Sequence, residues 1–399
     1  MVTAVTDMCL QIRSVYTKMS HSHSHRPYGK TGTGYYGDNM AHECISLLNS
    51  DRETFFRLLD TLPVDPITRH VTIGDYGSAD GATSMGFIRD IILFLRTKHG
   101  QDVSVTVIYE DQAINDFNSL FSRLHGLKPD RKGCCLQDLG NVYLFATGTS
   151  FFEHCVKSET MDIILCLMGV HFLSQEMVPF KDSLSHFPDA TKEEAEMARK
   201  RAEEDWNRFL LIRAKELRHG GIMLVTASAM MKEGSQQEND YNSYEDLHRQ
   251  MTQIWRYFRN AGKITQKEYE LATLNVYFRN LDDFVGETNN IKSDVYKAGL
   301  RMMSVDVRRH ESVFLSQWRQ LKDLYSADHR KAFAQAFVRA QKCWIHTVLE
   351  VALAARKESE REDIIDNFYN SLESFLVEAD LENIKLDIVV GHCLFTKTN

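Results

Sequence analysis

Val71-Thr-Ile-Gly-Asp75-Tyr-Gly-Ser-Ala-Asp-Gly81 is the stretch on which the reading of the whole chain turns. Val71 to Asp75 is a short apolar strand, Tyr76 to Gly81 an acidic glycine turn, and Met85 to Lys98 reads as a helix. Strand, glycine turn and helix in that order open a βαβ unit, and in open α/β sheets ligands bind beyond the carboxyl ends of the strands. Glycine at 77 and 81 permits positive φ and lets a ligand approach the backbone closely. The spacing is GxxxG and lacks the third glycine of the dinucleotide fingerprint GxGxxG, which disfavours a nicotinamide-dependent oxidoreductase. With no pyrophosphate to cradle, Asp75 is left to face a cationic or hydroxylated ligand.

Outward from this turn the alternation continues. Met40 to Leu59 reads as one amphipathic helix. Val103–Tyr109, Val142–Ala146 and Met161–Met168 are further strands, the last almost wholly apolar. Such strands separated by helices imply a parallel sheet covered on both faces. Thr191-Lys-Glu-Glu194 matches a capping box that opens a long helix, and Gly220-Gly221 is the expected stop before a fifth strand, Ile222–Thr226. Asp111, at the carboxyl end of the second strand, is placed to accept from the two hydroxyls of a ribose. Turn and acid together favour an adenosyl-bearing ligand. Residues 240–300 and 314–378 look helical and suit a cap over the sheet's edge, and Leu386–Phe395 reads as a returning strand or hairpin. The fold class is therefore α/β, a Rossmann-like sheet with a helical cap. Residues 1–34 form a tail, 35–235 with 380–399 the core, and 236–379 the mainly helical cap.

Composition narrows the function. The 399 residues carry a net charge of −8 with no basic run to neutralise phosphates, so neither nucleic acid nor an anionic membrane is an expected partner. No stretch approaches the length of a membrane span, and eight scattered cysteines show no CxxC pair. A reduced cytoplasmic compartment fits, and no metal site is expected. The His21-Ser-His-Ser-His25 cluster reads as a mobile polar segment rather than a metal site.

Several segments in order resemble the SABATH family of methyltransferases, which act on salicylate, jasmonate and caffeine-pathway compounds. Ile73-Gly-Asp-Tyr-Gly-Ser-Ala-Asp-Gly81 resembles "ADLGCSSG", and Glu110-Asp-Gln-Ala-Ile-Asn-Asp-Phe-Asn-Ser-Leu-Phe121 resembles "NDLPGNDFNTLF". Gly148-Thr-Ser-Phe-Phe152 is similar to "GSFY", Val170-His-Phe-Leu-Ser174 to "LHWLS", and Phe209–Gly221 to "FLxxRAxELxxGG". The resemblance implies an S-adenosylmethionine-dependent transferase acting on a small molecule, in a scaffold that is often homodimeric. It also implies cofactor contacts: Asp75 and Gly77 beside the methionine portion, Asp111 on the ribose, Ser150 and Phe151 flanking the adenine. Tyr36 and Asn39, within Tyr35-Tyr-Gly-Asp-Asn39, would close over the sulfonium and substrate. The serine that follows in the family is Met40 here.

The acceptor side departs from the pattern. In carboxyl-methylating members a glutamine and a tryptophan donate hydrogen bonds to the substrate carboxylate; the matching positions here are Glu43 and Phe172. An ionised glutamate accepts only and would repel a carboxylate, and phenylalanine donates nothing. His171 is retained and can donate. The acceptor is thus either a ring nitrogen facing Glu43, or a carboxylate held in a shifted pose by His171 and the cap. A catalytically inactive binding protein on the same fold is the alternative. Methyl transfer from a sulfonium needs placement and exclusion of water rather than a protein nucleophile, so no catalytic residue is expected. Of the cap aromatics Tyr277, Phe278 and Phe284, packing is the expected role.

Overall fold

The computed structural model describes residues 27–128, 135–231, 241–321 and 327–398. The His21–His25 cluster lies outside them. Seven strands form one sheet: β1 (His70–Tyr76), β2 (Ser104–Glu110), β3 (Val142–Thr147), β4 (Met161–Leu167), β5 (Leu217–Ser228), β8 (Leu300–His310) and β9 (Ile388–Lys397). Their order is β3-β2-β1-β4-β5-β9-β8. The first five are parallel, and β9 runs antiparallel between β5 and β8. The two-residue strands β6 (Met230–Met231) and β7 (Tyr241–Asn242) pair separately. Strand order reverses between β1 and β4, which makes their carboxyl ends the switch point where a ligand crevice opens.

Both sheet faces are covered. All seven residues of β4 are buried, and they divide by alternation. Ile163 and Leu165 pack with Ile88, Ile91, Ile92 and Leu95 of the helix Met85–His99, whose apolar residues recur at helical spacing. Ile164 and Cys166 face the other way, toward Trp206, Phe209 and Leu210 of the helix Lys192–Glu216. A third cluster is the cap itself, built mainly on the helices Glu245–Asn260, Ala327–Ala352 and Glu358–Glu378.

Four expectations are corrected. The single helix over Met40–Leu59 is two, Ala41–Asn49 and Arg52–Leu59. The break falls at Asp51, whose carboxylate turns inward to His392 Nδ1 at 2.6 Å and Arg308 at 2.5 Å. The long helix does open on the Thr191 capping box, but it ends at Glu216 instead of running to the glycines. Leu217 is already extended and pairs with Met161, so Gly220 and Gly221 lie inside β5. Gly220 has φ +74°, and a side chain there would meet the Pro63 ring at 2.6 Å. Finally, residues 240–300 are short helices and loops around one long helix, and the interval assigned to the cap also contributes strand β8 to the main sheet. β8 escaped notice because it is a half-exposed edge strand carrying Arg301, Asp306, Arg308 and Arg309, the charge pattern that keeps an edge from pairing further.

Candidate active site

At the carboxyl ends of β1 and β2 the chain doubles back on itself. Gly77 (φ +76°), Ala79 (φ +49°) and Gly81 (φ +75°) all take left-handed conformations, which explains the glycines and marks Ala79 as strained. The turn is held by acids from the next strand. The amides of Gly77 and Ser78 donate to the Glu110 carbonyl at 2.9 Å, and Gly77 N also reaches Glu110 Oε2 at 3.0 Å. Ala79 N donates to Asp111 Oδ2 at 2.7 Å, and Asp111 Oδ1 takes the Gln112 amide at 2.7 Å. Burial raises the Asp111 carboxyl to about 6, against the lowering pull of those amides. Glu110 is fully buried, pushed well up first by desolvation and then by Asp111, and its Oε1 has no partner among the described residues.

One cavity runs from this turn into the cap. Its walls include Tyr36, Gly77, Asp111 and Phe151 at one end and Glu43, His171 and Phe172 at the other. Three expected residues do not reach the wall. Asp75 lies behind the turn, accepting from Ser84 Oγ at 2.5 Å, its carboxyl raised to about 7 by burial. Asn39 gives its amide to the Tyr35 carbonyl, and Ser150 Oγ accepts from Phe152 N. Gly77 stands against Phe151, where a Cβ would come within 3.5 Å of the ring edge atoms, and its positive φ is what calls for glycine.

The segment from Gly29 to Asn39 gives Gly34, Tyr35 and Tyr36 to the cavity wall, as a roof beside the glycine turn, and is tied down by charge. Gly37 N donates to Asp80 Oδ2 at 2.9 Å, and Asp80 pairs with Arg123 at 3.0 Å, both side chains almost wholly buried. Arg123 also reaches the Gly34 carbonyl and Asp38, and Asp38 meets Lys128 at 2.7 Å. Sequence reasoning missed this clamp and missed Glu110. The acids 80 and 110 were visible inside the quoted motifs, but nothing local shows their burial.

At the acceptor end Glu43 is not the ionised acid expected. It is 1% exposed, accepts from Val313 N at 3.0 Å, and burial holds its carboxyl up at about 8, so it is neutral near pH 7. His171 Nδ1 accepts from Ser228 N at 3.3 Å, which puts the ring proton on Nε2, and its ring lies 4.5 Å from that of Phe172. Phe278 lines the cavity, while Tyr277 and Phe284 are packed away from it. Tyr244, His248 and Trp344 from the cap complete the wall and were not singled out from the sequence.

A glycine turn that brings backbone up to the Phe151 ring and an acid at the end of β2, both on the cavity wall, suit a hydroxylated, adenine-bearing ligand. Fold and site together define an S-adenosylmethionine-dependent methyltransferase. More particularly, the chain belongs to the SABATH family: the family described as "SAM dependent carboxyl methyltransferase" matches residues 23–390. It is 22% identical over 273 residues to farnesoic acid carboxyl-O-methyltransferase of Arabidopsis thaliana, covering 64% of this chain and 72% of that protein. It is 26% identical over 223 residues to indole-3-acetate O-methyltransferase 1 of Oryza sativa subsp. japonica, covering 49% of this chain and 54% of that one. The chain thus spans 54% to 72% of these two relatives' lengths. A loganic acid methyltransferase solved with SAH superposes with a TM-score of 0.68 at 16% identity, covering 94% of this chain and 99% of that one. No helix among the described residues is long and apolar enough to cross a membrane.

Proposed function

We propose that this chain transfers a methyl group to the carboxylate oxygen of a small organic acid. The observation that carries the reading is one cavity lined by the glycine turn and by both Glu43 and His171, with Glu43 buried and its carboxyl held up at about 8 by burial. A neutral carboxyl can donate through its O–H, as the glutamine of carboxyl-methylating relatives does, whereas a neutral acid offers no counter-charge to a cationic nitrogen. His171, with its proton on Nε2, supplies a second donor type.

S-adenosylmethionine, when bound, supplies a methyl group activated by its sulfonium. The chain's own residues then have three tasks. Asp111 retains a lone pair on each oxygen beyond those used by Ala79 and Gln112, enough to accept from ribose hydroxyls. Phe151 offers a face to the adenine, and Tyr36, carried on the roof segment, excludes water from the reacting atoms. Glu43 and His171 orient the acceptor oxygen. The acceptor is ionised at neutral pH, so no base is required, and placing it about 3 Å from the methyl supplies several kcal/mol of the rate enhancement. The six free cysteines among the described residues suit a reducing, cytoplasmic setting.

The test is methyl transfer from radiolabelled S-adenosylmethionine to a panel of small carboxylic acids and N-heterocycles. Label released by alkali is an ester and is the expected result. Alkali-stable label, found only on the heterocycles, overturns the carboxylate reading.

A further inference from the structure

The acceptor end of the cavity contains two histidines whose hydrogen-bonding states are opposite. His171 accepts at Nδ1 and so carries its proton on Nε2. For His248 the order runs the other way. Ser185 Oγ has one hydrogen, and it goes to the Phe187 carbonyl at 2.5 Å. The same oxygen must therefore accept from His248 Nδ1, 3.3 Å away, which places the ring proton on Nδ1. Nε2 is left with a lone pair and no donor to fill it among the described residues.

The surroundings keep it so. His248 is 1% exposed and lines the cavity. Its ring is stacked on Trp344 at 5.6 Å and flanked by Phe187 at 4.8 Å and Phe278 at 5.4 Å. Burial also depresses its pKa to about 3, so the ring does not acquire a second proton near neutral pH. Tyr244 also lines the cavity, from a strained backbone at φ +52°, and its hydroxyl is within reach of Gln341. A phenol both donates and accepts, so it does not discriminate between ligand groups; an imidazole nitrogen that only accepts does. A site built with a buried acceptor rejects ligands that leave it unfilled.

We propose that the cavity selects a carboxylic acid that also carries a hydrogen-bond donor, a hydroxyl or an N–H, positioned to meet Nε2 of His248. The inference rests on the carboxylate reading above, and makes His248 a specificity-determining residue. An acid without such a group leaves Nε2 buried and unfilled.

The experiment is calorimetric titration of the full chain, saturated with S-adenosylhomocysteine, with matched acids. Phenylacetate is compared with its 2-, 3- and 4-hydroxy and methoxy derivatives, and indole-3-acetate with naphthalene-1-acetate. At least one donor-bearing acid is expected to bind about tenfold or more tightly than its donor-free partner, with no matching gain for the methoxy acid, which can only accept. His248→Phe, which keeps a ring between the same neighbours, should bring the pair within about twofold. His248→Gln, which restores a side-chain acceptor, should recover part of the preference. Should His248→Phe fail to fold, the hydroxy-against-methoxy comparison in the unaltered protein still decides. No donor preference at any position, or a preference that survives intact in His248→Phe, overturns the proposal. Methyl ester formation from the same acids is read separately: its absence sinks the carboxylate reading, whereas equal binding with and without the donor sinks only this one.

Discussion

At the cofactor end of the cavity, residues 76–123 supply turn, acids and roof anchor, and most of the turn's polar contacts run from backbone amides to carboxyl oxygens. At the acceptor end, Glu43, His171 and Trp344 come from three separate elements, Tyr244 and His248 share the first turn of a fourth, and they meet through side chains. The first kind of construction fixes one ligand shape, because backbone amides cannot be exchanged by mutation. The second lets a single substitution alter what is bound while the sheet is untouched. Divergence at positions 43 and 172, with the glycine turn kept, follows from that division.

The comparison breaks most readily at the roof. Arg123 and Asp80 are a buried pair joining the Gly29–Asn39 segment to the glycine turn. Removing one member of such a pair costs about 3–5 kcal/mol. Asp80 already has a raised pKa, chiefly through burial, so it can take up a proton when Arg123 is lost, and the cost falls at the low end. Arg123→Met is expected to lower stability by about 3 kcal/mol in urea unfolding, with Asp80→Asn in the same background recovering part of it. An unchanged midpoint would mean that the roof is not coupled to the turn.

Asp111 sharpens the same end. Asp111→Ala removes the acceptor for two loop amides as well as the groups assigned to the ribose, and should weaken S-adenosylhomocysteine binding by ~1–3 kcal/mol in calorimetry. Asp111→Asn, which keeps one acceptor oxygen, should lose less. Equal affinity in all three proteins would remove Asp111 from the cofactor site.

The sheet and the turn were legible because their information is local. An apolar strand, a glycine turn and a helix lie within some thirty residues, and β4 announces its burial by being apolar throughout. The capping box at Thr191 was equally plain. What was illegible depends on distant contacts. Glu43 sits on an amphipathic helix and reads as an ordinary ionised acid, yet its partner Val313 is 270 positions away. His248 reads as one residue of a polar helix until Ser185, Phe187 and Trp344 close around it. Asp75, Asn39 and Ser150 occupy motif positions, but local hydrogen bonds turn their polar atoms away from the cavity. The motifs thus lead to one cavity without specifying which of their side chains line it.

The smallest expected effect bears on the acceptor end and on the sign of one charge. Glu43 is raised to about 8 by burial, so it is a neutral donor below that pH and an ionised, acceptor-only group above it. The substrate carboxylate is ionised throughout, so kcat/KM for a carboxylic acid should hold steady from pH 6.5 to 7.5 and fall as pH rises through 8. With a pKa near 8 about one enzyme in eleven is competent at pH 9, a loss of roughly tenfold, or about 1.4 kcal/mol. Glu43→Gln cannot ionise, so its profile should lose that fall while activity near pH 7 stays within a few-fold. A wild-type profile flat to pH 9.5 would mean that Glu43 serves only the Val313 amide at the head of its helix. A profile that instead rises through 8 would make the ionised form the useful one, and with it the nitrogen acceptor that an anionic Glu43 would favour.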